Sequence, residues 1–429
     1  MVSRGGALVT GLGTLVALTI AMRPSAQAAS YKVFTSSIAA STLNAGDGYC
    51  SLAEAVQSVN QGSPAYNCTD FEPGSPALIT LIEASGKSYA SFHYVIGTLS
   101  LNRSVRIQPS EEGFTAYIDA TGTQAFTVKS GVDVNLYGLN VRHTGAANGR
   151  LIANYGTLAL ANTIIRNGNV KTEPLGLGGG IYSEGTLTLS SCQILSNAAK
   201  KGGGIFNKGT LNSYDTTISS NAATLAGGGI YNLARFDMFA SSVAGNTSVT
   251  GGGVFNRGEM NLDSCSITGN KLTGTGSGEA CAKNNSCDGL GGGVLNNPIS
   301  STSNAFFRMF GGKVATNTAS YGGGLYNAGQ INLDAVTIDG NSAISGGAVY
   351  TGWAGSSPYC NITNDGMTPS NIVRNIATTA GNYSIVDGTM LNCAFNDTKA
   401  SCNKTAGNNG PYCLAGIAIP CPQSVPCPQ

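Results

Sequence analysis

The residue types best suited to chemistry are gathered in one stretch, KLTGTGSGEACAKNNSCDGL, residues 271–290. Glu279, Asn284, Asn285 and Asp288 offer carboxylate and amide oxygens there. Cys281 and Cys287 are close enough in sequence to close a small disulfide ring around them. Hard cations prefer such oxygens, so calcium is the metal this loop would take, although the spacing matches no EF-hand. A rigid recognition loop uses the same residues without any ion. The expectation is a binding loop at Glu279, Asn284, Asn285 and Asp288, no resident cofactor, and calcium as the candidate to test.

Elsewhere the supply of reactive groups is thin. A polysaccharide lyase needs a basic side chain and a means of neutralising the sugar carboxylate. A glycosidase needs two opposed carboxyl groups. One recurring position holds Glu184, Lys208, Leu233, Arg257, Asn297 and Ala328 in successive repeats. Glu184 and Lys208 then become neighbours, as a surface ion pair worth about 0 to 1 kcal/mol. Asp263 and Asp334 share another position but are separated by an irregular coil, and Asp237 and Asp339 occupy different positions. His93 and His143 precede the repeats and neighbour no repeated acid, which points to core or surface roles. The glycine triplets are not phosphate loops, because neither a lysine nor a helix follows at the needed spacing. No catalytic residue is assigned.

What positions these groups is a repeat. GGGIYSEGTLTLSSCQILSN (178–197) returns as GGGIFNKGTLNSYDTTISSN from Gly202, GGGIYNLARFDMFASSVAGN from Gly227 and GGGVFNRGEMNLDSCSITGN from Gly251, with altered copies from Gly291, Gly322 and Gly346. Triplets start 24, 25, 24, 40, 31 and 24 residues apart. Thr186-Leu187-Thr188-Leu189 and Met260-Asn261-Leu262-Asp263 alternate apolar and polar residues, the mark of a strand with one buried face. No stretch carries a helical period over ten residues, which excludes leucine-rich and all-helical solenoids, and a propeller blade needs about 40 residues. Three short strands and three turns fill 24 residues, so each repeat is one coil of a parallel β-helix.

Coils stacked at about 4.8 Å place equivalent residues in columns. One column is apolar and inward: Ile194, Ile218, Val243, Ile267, Val314 and Ile338. Two are asparagine ladders: Asn197, Asn221, Asn246, Asn270, Asn317 and Asn341, and Asn207, Asn232, Asn256, Asn296 and Asn327. Cys192 and Cys265 share a column three coils apart, roughly 14 Å, too far for a disulfide and therefore free. Of the other ten cysteines, Cys50–Cys68 and Cys281–Cys287 are the expected local pairs.

Composition sets the compartment. Charged residues are 10% and the net charge is +1, which leaves no footprint for nucleic acid or an anionic membrane. The N-terminus, MVSRGGALVTGLGTLVALTIAMRPSAQAAS, reads as a signal peptide cleaved after Ala26-Gln27-Ala28. No later segment is long enough to span a bilayer as a helix. Twelve cysteines suit an oxidising compartment.

Asn44-Ala45-Gly46-Asp47-Gly48-Tyr49-Cys50-Ser51-Leu52-Ala53-Glu54-Ala55-Val56 resembles the N-terminal CSLREAI segment of many secreted bacterial β-helix proteins, with Ala53 in place of Arg. The repeats, GGG[IVL][YF]N followed by [IV]xxN, resemble those of chlamydial polymorphic outer-membrane proteins. That resemblance implies a right-handed parallel β-helix, surface-exposed or released, often without catalytic activity. Those proteins end in a translocator barrel for which this chain shows no pattern, so autotransport by this chain alone is not expected.

The expected layout is a signal peptide (1–28), an N-terminal cap (29–85), a β-helix (86–390) and a Cys-rich tail (391–429). The expected product is a secreted or cell-surface monomer with a binding, adhesive or structural role towards an extracellular polysaccharide or surface component. The alternative is a polysaccharide lyase or glycoside hydrolase working in a groove of the β-helix.

Overall fold

The structure, a computed structural model, describes residues 30–34, 50–68, 76–82, 90–111, 115–121, 124–144, 149–274, 289–298, 305–351, 359–363, 371–373, 375–377, 386–387, 393–395, 399–400 and 404–405. Alternation decides the local structure: Thr186–Ser190 and Gln330–Asp334 each bury every second side chain, as strands with one wet face must. A turn follows each strand, and the chain climbs to pair with its own next repeat. In one coil, Thr186–Ser190 leads to Gln193–Leu195, Ala198–Lys201 and Ile205–Asn207.

Stacking these coils builds three long sheets of 13, 12 and 11 strands, in which every pairing of named strands is parallel and joins one coil to the next. Smaller sheets of four and three strands form a fourth edge. Ile194, Ile218, Val243, Ile267, Val314 and Ile338 are successive Cα partners and all fully buried. The chain is thus a parallel β-solenoid with coils of 24 or 25 residues where the repeat is regular. Its core is a continuous apolar column, with Leu187, Leu211, Phe236, Met260 and Phe307 filling successive levels.

The one helix among the described residues, Leu52–Gln61, closes the first coils. Ser51 caps it, its hydroxyl accepting from the Glu54 N–H while the Glu54 carboxylate accepts from the Ser51 N–H. Gly62 ends it in the left-handed conformation. Leu52, Ala55, Val56 and Val59 are buried in the solenoid core cluster. Asn60 fastens the outer end, donating to the Ser100 carbonyl and accepting from the Asn102 N–H. The Cys50–Cys68 disulfide is present, with a Cα separation of 4.7 Å. No helix among the described residues is long and apolar enough to cross a membrane.

The sheets extend beyond the stretch 86–390. Ser30–Phe34 pairs in register with Ala77–Ile82, which pairs with Val105–Pro109, so the stretch read as a cap already belongs to the longest sheet. At the other end, Cys393–Phe395, Lys399–Ala400 and Lys404–Thr405 continue three of the sheets. The strand Ala90–Val95 turns Ser91, His93 and Val95 inward, with Ile96 half exposed beyond it.

Candidate functional site

Each glycine of a triplet meets a different constraint. Gly227 has φ +65°, a left-handed turn that L side chains resist. A Cβ on Gly228 would lie 2.3 Å from the Gly252 carbonyl oxygen of the next coil. On Gly229 it would press on the Asn246 side chain, 3.0 Å from Nδ2. The third constraint ties the glycine column to the first asparagine ladder. In that ladder the Asn221 backbone N–H and Nδ2 both donate to Asn246 Oδ1, at 2.9 and 3.0 Å, while Asn246 Nδ2 donates back to the Ile218 carbonyl. The pattern repeats from Asn197 through Asn270, Asn317 and Asn341 to Asn375, a rung displaced by a 34-residue step that hides it in the sequence.

In the second ladder Asn207, Asn232, Asn256 and Asn296 each donate from Nδ2 to Oδ1 of the next asparagine, ending on Asn327, at 2.7–2.9 Å. Asn154, donating to the Ser183 hydroxyl, adds a related contact ahead of it that the sequence pattern misses. Of a corner column the sequence reading caught only two rungs, Cys192 and Cys265. Thr163, Cys192, Thr216, Ser241 and Cys265 each donate a hydroxyl or thiol hydrogen to the carbonyl two residues before. Its rungs mix threonine, cysteine and serine but share that bond, so no single residue type marks every rung. Cys192 and Cys265 are free and buried, and burial pushes both thiols up to about 11.

Outside the third sheet the same register stacks aromatic rings. Tyr182, Phe206, Tyr231 and Phe255 lie face to face, with centroids 5.6, 5.1 and 4.8 Å apart. They form a second apolar cluster, separate from the core, together with Leu290, Leu295 and Tyr326. Along this spine runs a groove of about 540 Å³, lined by Lys200, Lys201, Phe206, Leu225, Tyr231, Leu233 and Arg257 among others. The ring faces are used up against each other, so the groove meets ring edges.

Its charge is one-sided. Lys201 Nζ lies 5.6 Å from the Tyr231 ring centroid and Arg257 Cζ 5.0 Å from that of Phe255. Burial first, and the Arg257 charge second, hold the Lys201 ammonium below its ordinary pKa. Buried Arg257 Nε has no hydrogen-bond partner. No carboxylate is among the described lining residues.

Neighbouring charges are satisfied. Lys208 pairs with Glu184 at 2.8 Å, and the Tyr182 hydroxyl donates to the same carboxylate. The Lys208 hydrogen bond, then that of Tyr182, holds Glu184 below the usual carboxylate range. Arg150 pairs with Glu173, and Lys200 Nζ donates to the Pro174 carbonyl.

The candidate acids and bases do not converge. Asp263 and Asp334 are separated by Phe310 in their column. His143 is buried with both ring nitrogens 3.1 Å from carbonyl oxygens of Ala120 and Gly149. His93 is fully buried two strands away in the same sheet, where its register partner is Ile118. Glu279, Asn284, Asn285, Asp288, Cys281 and Cys287 lie outside the described residues, as do residues 1–28. The groove was not legible because Lys201 and Arg257 come from different turns of different coils, and the reach of the Lys201 stem, which spacing does not show, brings them together.

No family model matches the chain, and no curated protein matches it. Among solved structures it is similar to a chain described as Geobacillus virus E2 - ORF18, at 11% identity and a TM-score of 0.25. That similarity covers 79% of this chain and 56% of the other, so the chain spans little more than half of that protein's length.

Proposed function

We propose that the chain is an exported, non-catalytic β-solenoid that binds or builds extracellular structure. The observation that carries this reading is the groove beside the aromatic spine, which offers unpaired cations over an apolar floor. Such a surface is equipped to hold a ligand; it lacks the acid–base pairing that glycoside hydrolysis uses. The rest of the repeated polar chemistry supports the same view, because the asparagine ladders direct their amides to neighbouring coils. Export rests on the basic, apolar and small-residue segments of residues 1–28.

The test joins localisation to activity. Expressed with its own N-terminus in a secreting bacterial host, the chain should be recovered outside the cytoplasm, starting near Ala29. Incubated with pectin, alginate and glycosaminoglycans, it should raise no absorbance from unsaturated sugar ends. New absorbance would replace the binding role with a lyase, and retention of residues 1–28 on cytoplasmic protein would remove export.

A further inference from the structure

We propose that the groove takes an acidic oligosaccharide, with a carboxylate or sulfate seated between Lys201 and Arg257 and the sugar's C–H surface against Phe206, Tyr231 and Leu233. This rests on the reading of the chain as a binding solenoid and adds the chemistry of the ligand.

Charge complementarity is the first support. Lys201 is the register partner of Ala226, one coil before the turn of Leu233 and two before that of Arg257. Its long stem nevertheless carries the ammonium over Tyr231, whose ring stacks directly on Phe255 below Arg257. Two cations are thus brought to adjacent rungs, where they repel, and neither has a carboxylate partner among the described residues. An anion between them relieves that repulsion through charge-assisted bonds to the exposed parts of both cations.

The apolar part of the groove selects among anions. The ring faces are occupied by one another, so nucleic-acid bases find no platform to stack on. Strand addition by an acidic peptide is closed too, because the triplet N–H groups already bond to the next coil, as Gly203 to Gly227 and Gly228 to Gly251. What remains is a compact ligand with an apolar ring surface and a charged substituent. A volume of about 540 Å³ accommodates a short piece of such a chain. Leu225, about half exposed, supplies an apolar rim.

Calorimetric titration of the full chain tests this with four probes at low salt: a galacturonate trimer, a sulfated glycosaminoglycan tetrasaccharide, neutral cellotriose and hexaglutamate. Saturable binding of either acidic sugar is expected, with the carboxylate or sulfate arm identifying the anion, and none of cellotriose. Lys201→Met and Arg257→Gln should each weaken it by about tenfold. Leu233→Glu should abolish it by placing a carboxylate beside Arg257. That position already carries Glu184 in another coil, and the thermal midpoint should stay within about 2 °C. If Leu233→Glu does not fold, the two cation variants decide.

The proposal is overturned if neither acidic sugar binds, if cellotriose or hexaglutamate binds as well, or if the cation variants leave affinity unchanged. Those outcomes leave the exported solenoid intact. Unsaturated ends on the bound trimer would do the reverse, keeping the site and ending the non-catalytic reading.

Discussion

His93 and Ser213 each leave a polar atom in the core without a partner, His93 at Nδ1 and Ser213 at Oγ. His93 is fully buried and its one hydrogen bond runs from Nε2 to the Ser91 hydroxyl, so desolvation lowers its pKa from 6.5 to about 3. The neutral ring is the folded form, whereas the unfolded chain takes up a proton near pH 6.5. Stability from this group is therefore complete above pH 6.5 and is lost as pH falls towards 3, by a few kcal/mol, on the order of 4. His93→Gln should flatten that part of the curve: its midpoint at pH 4, relative to pH 7, should fall less than the native protein's. An equal drop in both would place the acid sensitivity elsewhere. Ser213 stands between Leu189 and Met238 in an inward column. Ser213→Ala removes a desolvated hydroxyl that bonds to nothing and should stabilise the protein by about 1 kcal/mol in chemical denaturation. A loss of stability would mean that the cavity matters more than the hydroxyl.

The coil is the element, and its glycines separate strain from steric exclusion. Gly228→Ala sets a methyl group 2.3 Å from a carbonyl oxygen of the next coil, so two coils must part and the ladder beside them must stretch. Gly245→Ala keeps the strained φ of +62° but meets nothing within 4 Å. The expected losses are more than about 3 kcal/mol for Gly228→Ala and about 1 kcal/mol for Gly245→Ala. Equal losses would show that backbone conformation, not coil contact, sets the glycine column. Asn246→Ala should resemble the first, because it strips acceptors from the Asn221 N–H and Nδ2 and a donor from the Ile218 carbonyl. Much of this was legible beforehand, since asparagine, glycine and aliphatic columns repeat by identity and identity survives in one dimension. The corner column was legible only at Cys192 and Cys265, because at its other rungs threonine and serine make the same bond under other names. The strand at Ser30–Phe34 was hidden for another reason: it precedes the repeat and earns its place only by covering the edge of Ala77–Ile82. The groove was hidden because its charges come from different turns of different coils.

At the scale of the whole molecule, two kinds of force are kept apart, and salt separates them. The solenoid is held by neutral amide ladders, backbone pairing and an apolar core. The ion pairs seen among the described residues include Arg142–Asp119, Arg150–Glu173, Lys208–Glu184 and Arg235 with Asp237 and Glu259. All but the first two carry a cation that is more than half exposed, and exposed pairs are worth about 0 to 1 kcal/mol each. Raising salt to about 0.5 M shortens the screening length below the distances over which such pairs act in concert. The thermal midpoint should therefore move by less than about 3 °C, because little of the folding free energy is ionic. The groove behaves oppositely. Its affinity for an acidic sugar comes from two uncompensated cations, so the same change should weaken binding by about tenfold or more. Measured together, a steady midpoint with collapsing affinity is the expected pair of results. A midpoint that falls by about 10 °C would mean that charge holds the coils together, and the division of labour between ladder and groove would be lost.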